Sequence, residues 1–185
     1  MTAARPEPVW GAAHLVSERS ENLIEARLAV LDQSRAYRYL LEWRWAAAAP
    51  MVFIMLNPSV ADAMRNDPTI RRCAGFARRE RCGGLVVANL FALRSPRPAA
   101  LAHHPDPVGP DNDRILCAAV GRGAPVVAAW GSLGTLHGRD RAVTALLATQ
   151  RLYCLGLTSL GHPRHPLYTP AAAPLTPYES PQDPA

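Results

Sequence analysis

The 185 residues carry 20 basic and 15 acidic side chains, for a net charge of +5, and 49% of them are hydrophobic. That length suits one α/β domain, and the apolar fraction excludes a chain disordered over most of its length. Every basic residue is arginine and none is lysine, which excludes Schiff-base chemistry and a P-loop lysine.

No stretch approaches the roughly 20 apolar residues of a membrane helix. The start, MTAARPEPVWGAAH, lacks the apolar core of a signal peptide. A cytoplasmic protein with no membrane partner is expected. Cys73, Cys82, Cys117 and Cys154 form no CxxC pair and match no common metal spacing. They read as reduced thiols, with no metal and no cofactor expected.

Residues 1–20 are expected to form a flexible arm, 21–169 a single α/β domain, and 170–185, with five prolines, an extended or disordered tail. ARLAVLDQSRAYRYLLEWRW alternates apolar and polar residues and reads as a hairpin or a pair of strands. MVFIML (51–56), GLVVANLF (84–91), PVVAAWG (125–131) and RLYCLGLT (151–158) are short apolar runs of the kind buried on both faces of a sheet. Helices are expected between them. One starts at Asp67-Pro68, with Asp67 as cap; the others span 111–120 and 138–150. Alternating strands and helices predict a three-layer α/β/α sandwich around a central, mainly parallel sheet of four strands.

In such a sheet the loops after the strands converge on one crevice. Asn57, Pro58 and Ser59 follow the first run, Asn89 and Phe91 lie at the end of the second, and Trp130-Gly131 ends the third. His162, Arg164 and His165 follow the fourth. Each also has a plain structural reading. Asn57-Pro58 suits a turn, Asn89 a satisfied buried amide, Trp130 a core residue, and the histidines a proline-rich loop. The segment SVADAMRNDPTIRR adds Asp62, Arg65 and Asn66, and places Arg71 and Arg72 where a helix start offers positive potential to a phosphate. The polar run HHPDPVGPDND (103–113) reads as a lid or substrate loop.

The stretches YRYLLEWRW, FIMLNPSVADAMRNDPTIRRCAGFARR, LVVANLFALRSP, DPVGPDND, VVAAWGSLG, GRDRAV and CLGLTSLGHPRHPLY resemble a bacterial and phage family of unknown function, DUF1643, over about residues 37–168. That family often has Gln at position 162, which favours His165 as its histidine. More distantly, MLNPS, ANLFALR, AAWG and HPRHPLY resemble, in order, the motifs of the uracil-DNA glycosylase superfamily.

This second resemblance implies a glycosylase-like fold and a base-recognising protein of the DNA glycosylase kind, with DNA or a nucleotide as partner. It implies that Asn57 orients water, Asn89 reads the base and His165 steadies the leaving group. It implies that Pro58, Ser59, Gly131 and either Phe91 or Trp130 contact the base. Arg71, Arg72, Arg94 and Arg164 would hold phosphates. An amide at position 57 cannot serve as a general base. The acid-rich 103–113 loop suits instead a small-molecule protein for a nucleotide or phosphorylated metabolite. A noncatalytic interaction protein is a third reading.

Overall fold

The computed structural model describes residues 13–59 and 67–180. Eight strands form one sheet: β1 (Leu15–Glu21), β2 (Ala26–Asp32), β3 (Arg38–Arg44), β4 (Pro50–Met55), β5 (Gly84–Asn89), β6 (Val126–Ala128), β7 (Leu152–Cys154) and β8 (Thr176–Pro177). The helices are α1 (Pro68–Arg79), α2 (Asn112–Val120) and α3 (Arg139–Leu146), with short 3-10 segments at Pro98–Ala102, Ser132–Gly138 and Pro166–Tyr168.

The strand order is β1-β2-β3-β5-β4-β6-β7-β8. β1–β2, β2–β3, β3–β5 and β7–β8 pair antiparallel; β5–β4, β4–β6 and β6–β7 pair parallel. This corrects the expected sandwich around a four-stranded, mainly parallel sheet. The sheet is mixed, has twice that number of strands, and is joined by more antiparallel than parallel pairings. The physical reason lies in the N-terminal third. The hairpin formed by β2 and β3 lies in the same sheet, through β3 against β5, and β1 extends it as an edge strand.

Two cores lie on opposite faces. Cys73, Ala74, Phe76 and Ala77 of α1 pack against Met51, Phe53 and Met55 of β4 and Leu85 and Val87 of β5. Ile115, Leu116 and Ala119 of α2 and Val143 of α3 pack with Val52, Ile54, Val86 and Ala88 on the other face. β4 and β5 are buried on both faces, so their sequences run apolar without alternation.

α1 starts where its sequence directs. Pro68 occupies the first turn, and the Asp67 carboxylate accepts from the N–H groups of Thr69 (2.6 Å) and Ile70 (3.4 Å). The end of β5 is clamped from the opposite face. Asn112 Nδ2 donates to the carbonyls of Asn89 and Leu90, both at 3.0 Å, and Arg139 Nε donates to Leu90 at 2.8 Å.

Residues at both ends of the described chain join the sheet. β1 begins at Leu15, inside the expected arm. In the proline-rich segment, β8 pairs with β7 and Tyr178 is buried edge-on against Trp130, ring centroids 5.5 Å apart. No described helix is long and apolar enough to cross a membrane.

Candidate functional site

A cavity of about 770 Å³ opens above the C-terminal ends of β4, β5 and β6, beside the start of α1. Its floor comes from the sheet. Met55 and Asn89 are register partners on β4 and β5, and both line it, with Val87 one pleat below. Trp130 and Gly131 close it from the end of β6. Asp67, Thr69 and Ile70 bring the first turn of α1 to its wall. Ser95, Pro96 and Pro98 form another side, and Thr158, Ser159, Arg164, His165 and Tyr168 complete the mouth.

Asn89 is 2% exposed, and its Nδ2 has no hydrogen-bond partner. Leaving a buried amide donor unpaired costs about 1–3 kcal/mol. Its backbone is fixed by the Asn112 bond, so the amide is held in place rather than free to turn to solvent.

Asn57 also lines the cavity. Its Nδ2 donates to the carbonyls of Pro58 (3.1 Å), Leu93 (3.4 Å) and Ser95 (3.0 Å). These bonds staple the loop after β4 to the loop after β5. They commit the amide nitrogen and leave the side-chain oxygen as the group available to a ligand or water.

His165 lies at the mouth, with its ring tilted against Tyr168 at 5.6 Å. Burial lowers its pKa below the ordinary 6.5, against the opposing pull of Asp67, so the ring is neutral at physiological pH. Nδ1 accepts from the Leu167 N–H at 3.3 Å, which places the remaining ring proton on Nε2. A neutral N–H donor results.

Gly131 adopts φ +72, a region that disfavours residues with a Cβ. Its N–H donates to the Pro163 carbonyl at 2.8 Å, which ties the end of β6 to the His-containing loop.

The structure brings Asn57, Ser59, Asn89, Trp130, Gly131, Arg164 and His165 to one cavity. Other expected residues lie elsewhere. Phe91 is fully buried in the core under α2 and α3, because β5 ends at Asn89 and the chain turns away from the cavity. Pro58 is buried outside the lining, and its carbonyl accepts from Ser95 N–H at 3.0 Å. Arg71 is an exposed side chain of α1. Arg72 donates to the Thr169 carbonyl, and Arg94 donates to the Arg35 carbonyl at 3.0 Å. None of these arginines lines the cavity. His162 is likewise outside the lining.

The 103–113 loop is not a wall of the cavity either. Asp111 is held there by His14 (2.6 Å) and Arg114 (2.7 Å), and Asp106 accepts from the Gly109 N–H at 2.9 Å. Burial would raise the Asp111 carboxyl, but its bonds to Arg114 and His14 outweigh this and hold it low. Asp62, Arg65 and Asn66 lie outside the described residues.

Sequence reasoning missed Arg38, the first residue of β3, which lines the cavity and is 7% exposed. The signal was present: YRYLL places an arginine inside an apolar run, with Tyr37 half-buried before it and Tyr39, Leu40 and Leu41 buried after it. Asp67 was read only as a cap, yet it is the single carboxylate among the described lining residues.

The family model described as "Protein of unknown function (DUF1643)" matches residues 38–167. No curated protein matches the sequence. No solved structure matches the chain, so the resemblance to the uracil-DNA glycosylase superfamily gains no support.

Proposed function

The chain belongs to the DUF1643 family, whose function is unknown, and from the cavity we propose that this protein recognises a nucleobase. The observation that carries the reading is the buried, unpartnered amide of Asn89 on the cavity floor. A side-chain amide offers a donor and an acceptor in one plane, the pattern that a base edge complements. The indole of Trp130 supplies an apolar wall, and the volume suits a base with its sugar.

The same residues suit hydrolysis of a glycosidic bond. The free oxygen of Asn57 would accept from a water and aim it at the sugar carbon. As that bond forms, the carbon–nitrogen bond breaks and the base leaves with the electron pair. Nε2–H of His165 would steady the charge, and the proton released by the water ends on the departing base. In DNA this requires a base turned out of the stack.

The arginines favour a second reading. Among the described residues Arg38 and Arg164 are the cations that line the cavity, whereas Arg71, Arg72 and Arg94 do not. A free nucleotide fits that arrangement better.

The test is a base-release screen on oligonucleotides carrying uracil, hypoxanthine, alkylated bases and hypermodified pyrimidines, run beside thermal shifts with free nucleotides. Asn89→Ala and His165→Ala serve as controls. Release lost in both variants supports the glycosidic chemistry. Stabilisation by nucleotides without release, lost in Asn89→Ala, supports the second reading. Neither release nor nucleobase-dependent stabilisation contradicts both.

A further inference from the structure

We propose that Arg38 forms an oxyanion subsite inside the cavity, so that the natural ligand carries a phosphate or carboxylate group beside its base. The base half of this statement rests on the reading above; the anion half stands on Arg38 itself.

Three other buried charges are paired, and a fourth, the Asp140 carboxylate, accepts from the Arg141 N–H at 2.8 Å. Glu42 on β3 meets Arg122 Nη2 at 2.8 Å. Arg139 bonds Asp113 and the Leu90 carbonyl. Asp111 has His14 and Arg114. Arg38 has no such arrangement. Its backbone N–H donates to Ala92 at 2.9 Å, fixing the start of the side chain. Among the described residues no carboxylate lies within ion-pairing distance of its guanidinium, and its Nε is buried without a partner.

Two charged groups act on it from nearby. Burial first, and then Arg94, press its pKa down to about 10, while Asp67 pulls the other way. It therefore remains a cation at neutral pH. Asp67 eases the cost of that charge from a distance, but no ion pair joins the two side chains, and the guanidinium fork stays open. A buried cation without a counterion is unfavourable, and a planar fork facing a cavity is the geometry that accepts an oxyanion through paired hydrogen bonds.

The sheet also sets where the anion sits. β3 and β5 are adjacent antiparallel strands, with Leu41 opposite Val87. Past the end of β5 the pairing continues at the Tyr37–Leu93 bridge and the Arg38–Ala92 bond, so Arg38 stands just beyond Asn89, and both line the cavity. Adjacent strands would hold the anion and the base edge.

Calorimetric titration of the full chain tests this with four probes: uridine, uridine 5′-monophosphate, a pyrimidine ring carboxylate and inorganic phosphate. At least one anionic ligand is expected to bind tighter than uridine by about tenfold or more, the scale of one charge-assisted hydrogen bond. Which one gains identifies phosphate or carboxylate. The gain should vanish in Arg38→Gln and in Arg38→Met, and return in part in Arg38→Lys, with thermal melts showing that each variant is folded. Uridine binding as tightly as both anions, or a gain that survives in Arg38→Gln, overturns the subsite and leaves base recognition standing. Phosphate binding that depends on Arg38 without any preference for a base supports the subsite and contradicts base recognition. No binding of any probe overturns both.

Discussion

Gly134 stands against the indole of Trp130 so closely that a Cβ at position 134 would lie 2.1 Å from Cδ1 and 2.7 Å from Nε1. Trp130 is itself 2% exposed and backed by Tyr178, so the ring can yield only toward the cavity. Gly134→Ala should destabilise the protein by about 1–3 kcal/mol, the range for overpacking a filled interior. Chemical denaturation checks this. Because the ring lines the cavity, ligand affinity should fall in the same variant. Unchanged stability would mean that the 132–138 segment moves freely away from Trp130.

The Asp67 carboxylate caps α1 and also lines the cavity. Asp67→Ala removes both acceptor bonds and should cost about 1 kcal/mol, the usual loss of a helix cap. Asp67→Asn keeps an acceptor oxygen and should recover most of that stability. Denaturation curves of the two variants separate capping from charge.

Arg38 predicts an unusual sign. Its charge is buried and lacks a counterion among the described residues, so the empty protein carries the cost of holding it. Arg38→Met should leave the melting temperature of the ligand-free protein unchanged or raise it, by as much as about 1–4 kcal/mol in stability. A loss exceeding about 1 kcal/mol would show that the guanidinium supports the fold without a ligand.

His165 sets a pH window. Burial lowers its folded-state pKa below the ordinary 6.5, so below pH 6.5 the unfolded chain takes up a proton that the folded protein refuses. Stability should therefore fall as pH drops from about 6.5 to the lowered folded value, and level off below it. The Asp111 contribution has the opposite protonation chemistry but the same direction. Its folded pKa lies below 3.8, so the stability it supplies is lost only in more acidic solution. His165→Asn should flatten the decline that begins below pH 6.5 and leave the acid limb in place. Melts at closely spaced pH values decide it.

The parts legible in the sequence were those with strong local signals. MVFIML and GLVVAN read as strands because burial on both faces demands unbroken apolar runs. Asp67-Pro68 marked the start of α1 because cap and first-turn chemistry are local. The sheet edges were not legible. β1 is the polar run LVSERSE, largely exposed, and β8 is Thr176-Pro177 in a proline-rich stretch. Both owe their place to a partner strand, which no local pattern reveals. Phe91 was misplaced for a related reason. The resemblance set it beside the base, but β5 stops at Asn89 and Phe91 turns into the core under α2 and α3. Arg38 was missed because an arginine in a strand reads first as solvent-facing, whereas here it is buried and lines the cavity.

A nucleobase bound on the cavity floor would meet the Asn89 amide. The most direct measurement is the side-chain amide signal of Asn89 in nitrogen–proton correlation spectra, assigned by its loss in Asn89→Ala, during titration with nucleoside 5′-monophosphates. A saturable shift of that signal is expected, with Trp130 Nε1–H and Arg38 responding over the same concentration range. Shifts confined to the exposed arginines of α1, with the Asn89 amide unmoved at saturation, would contradict it.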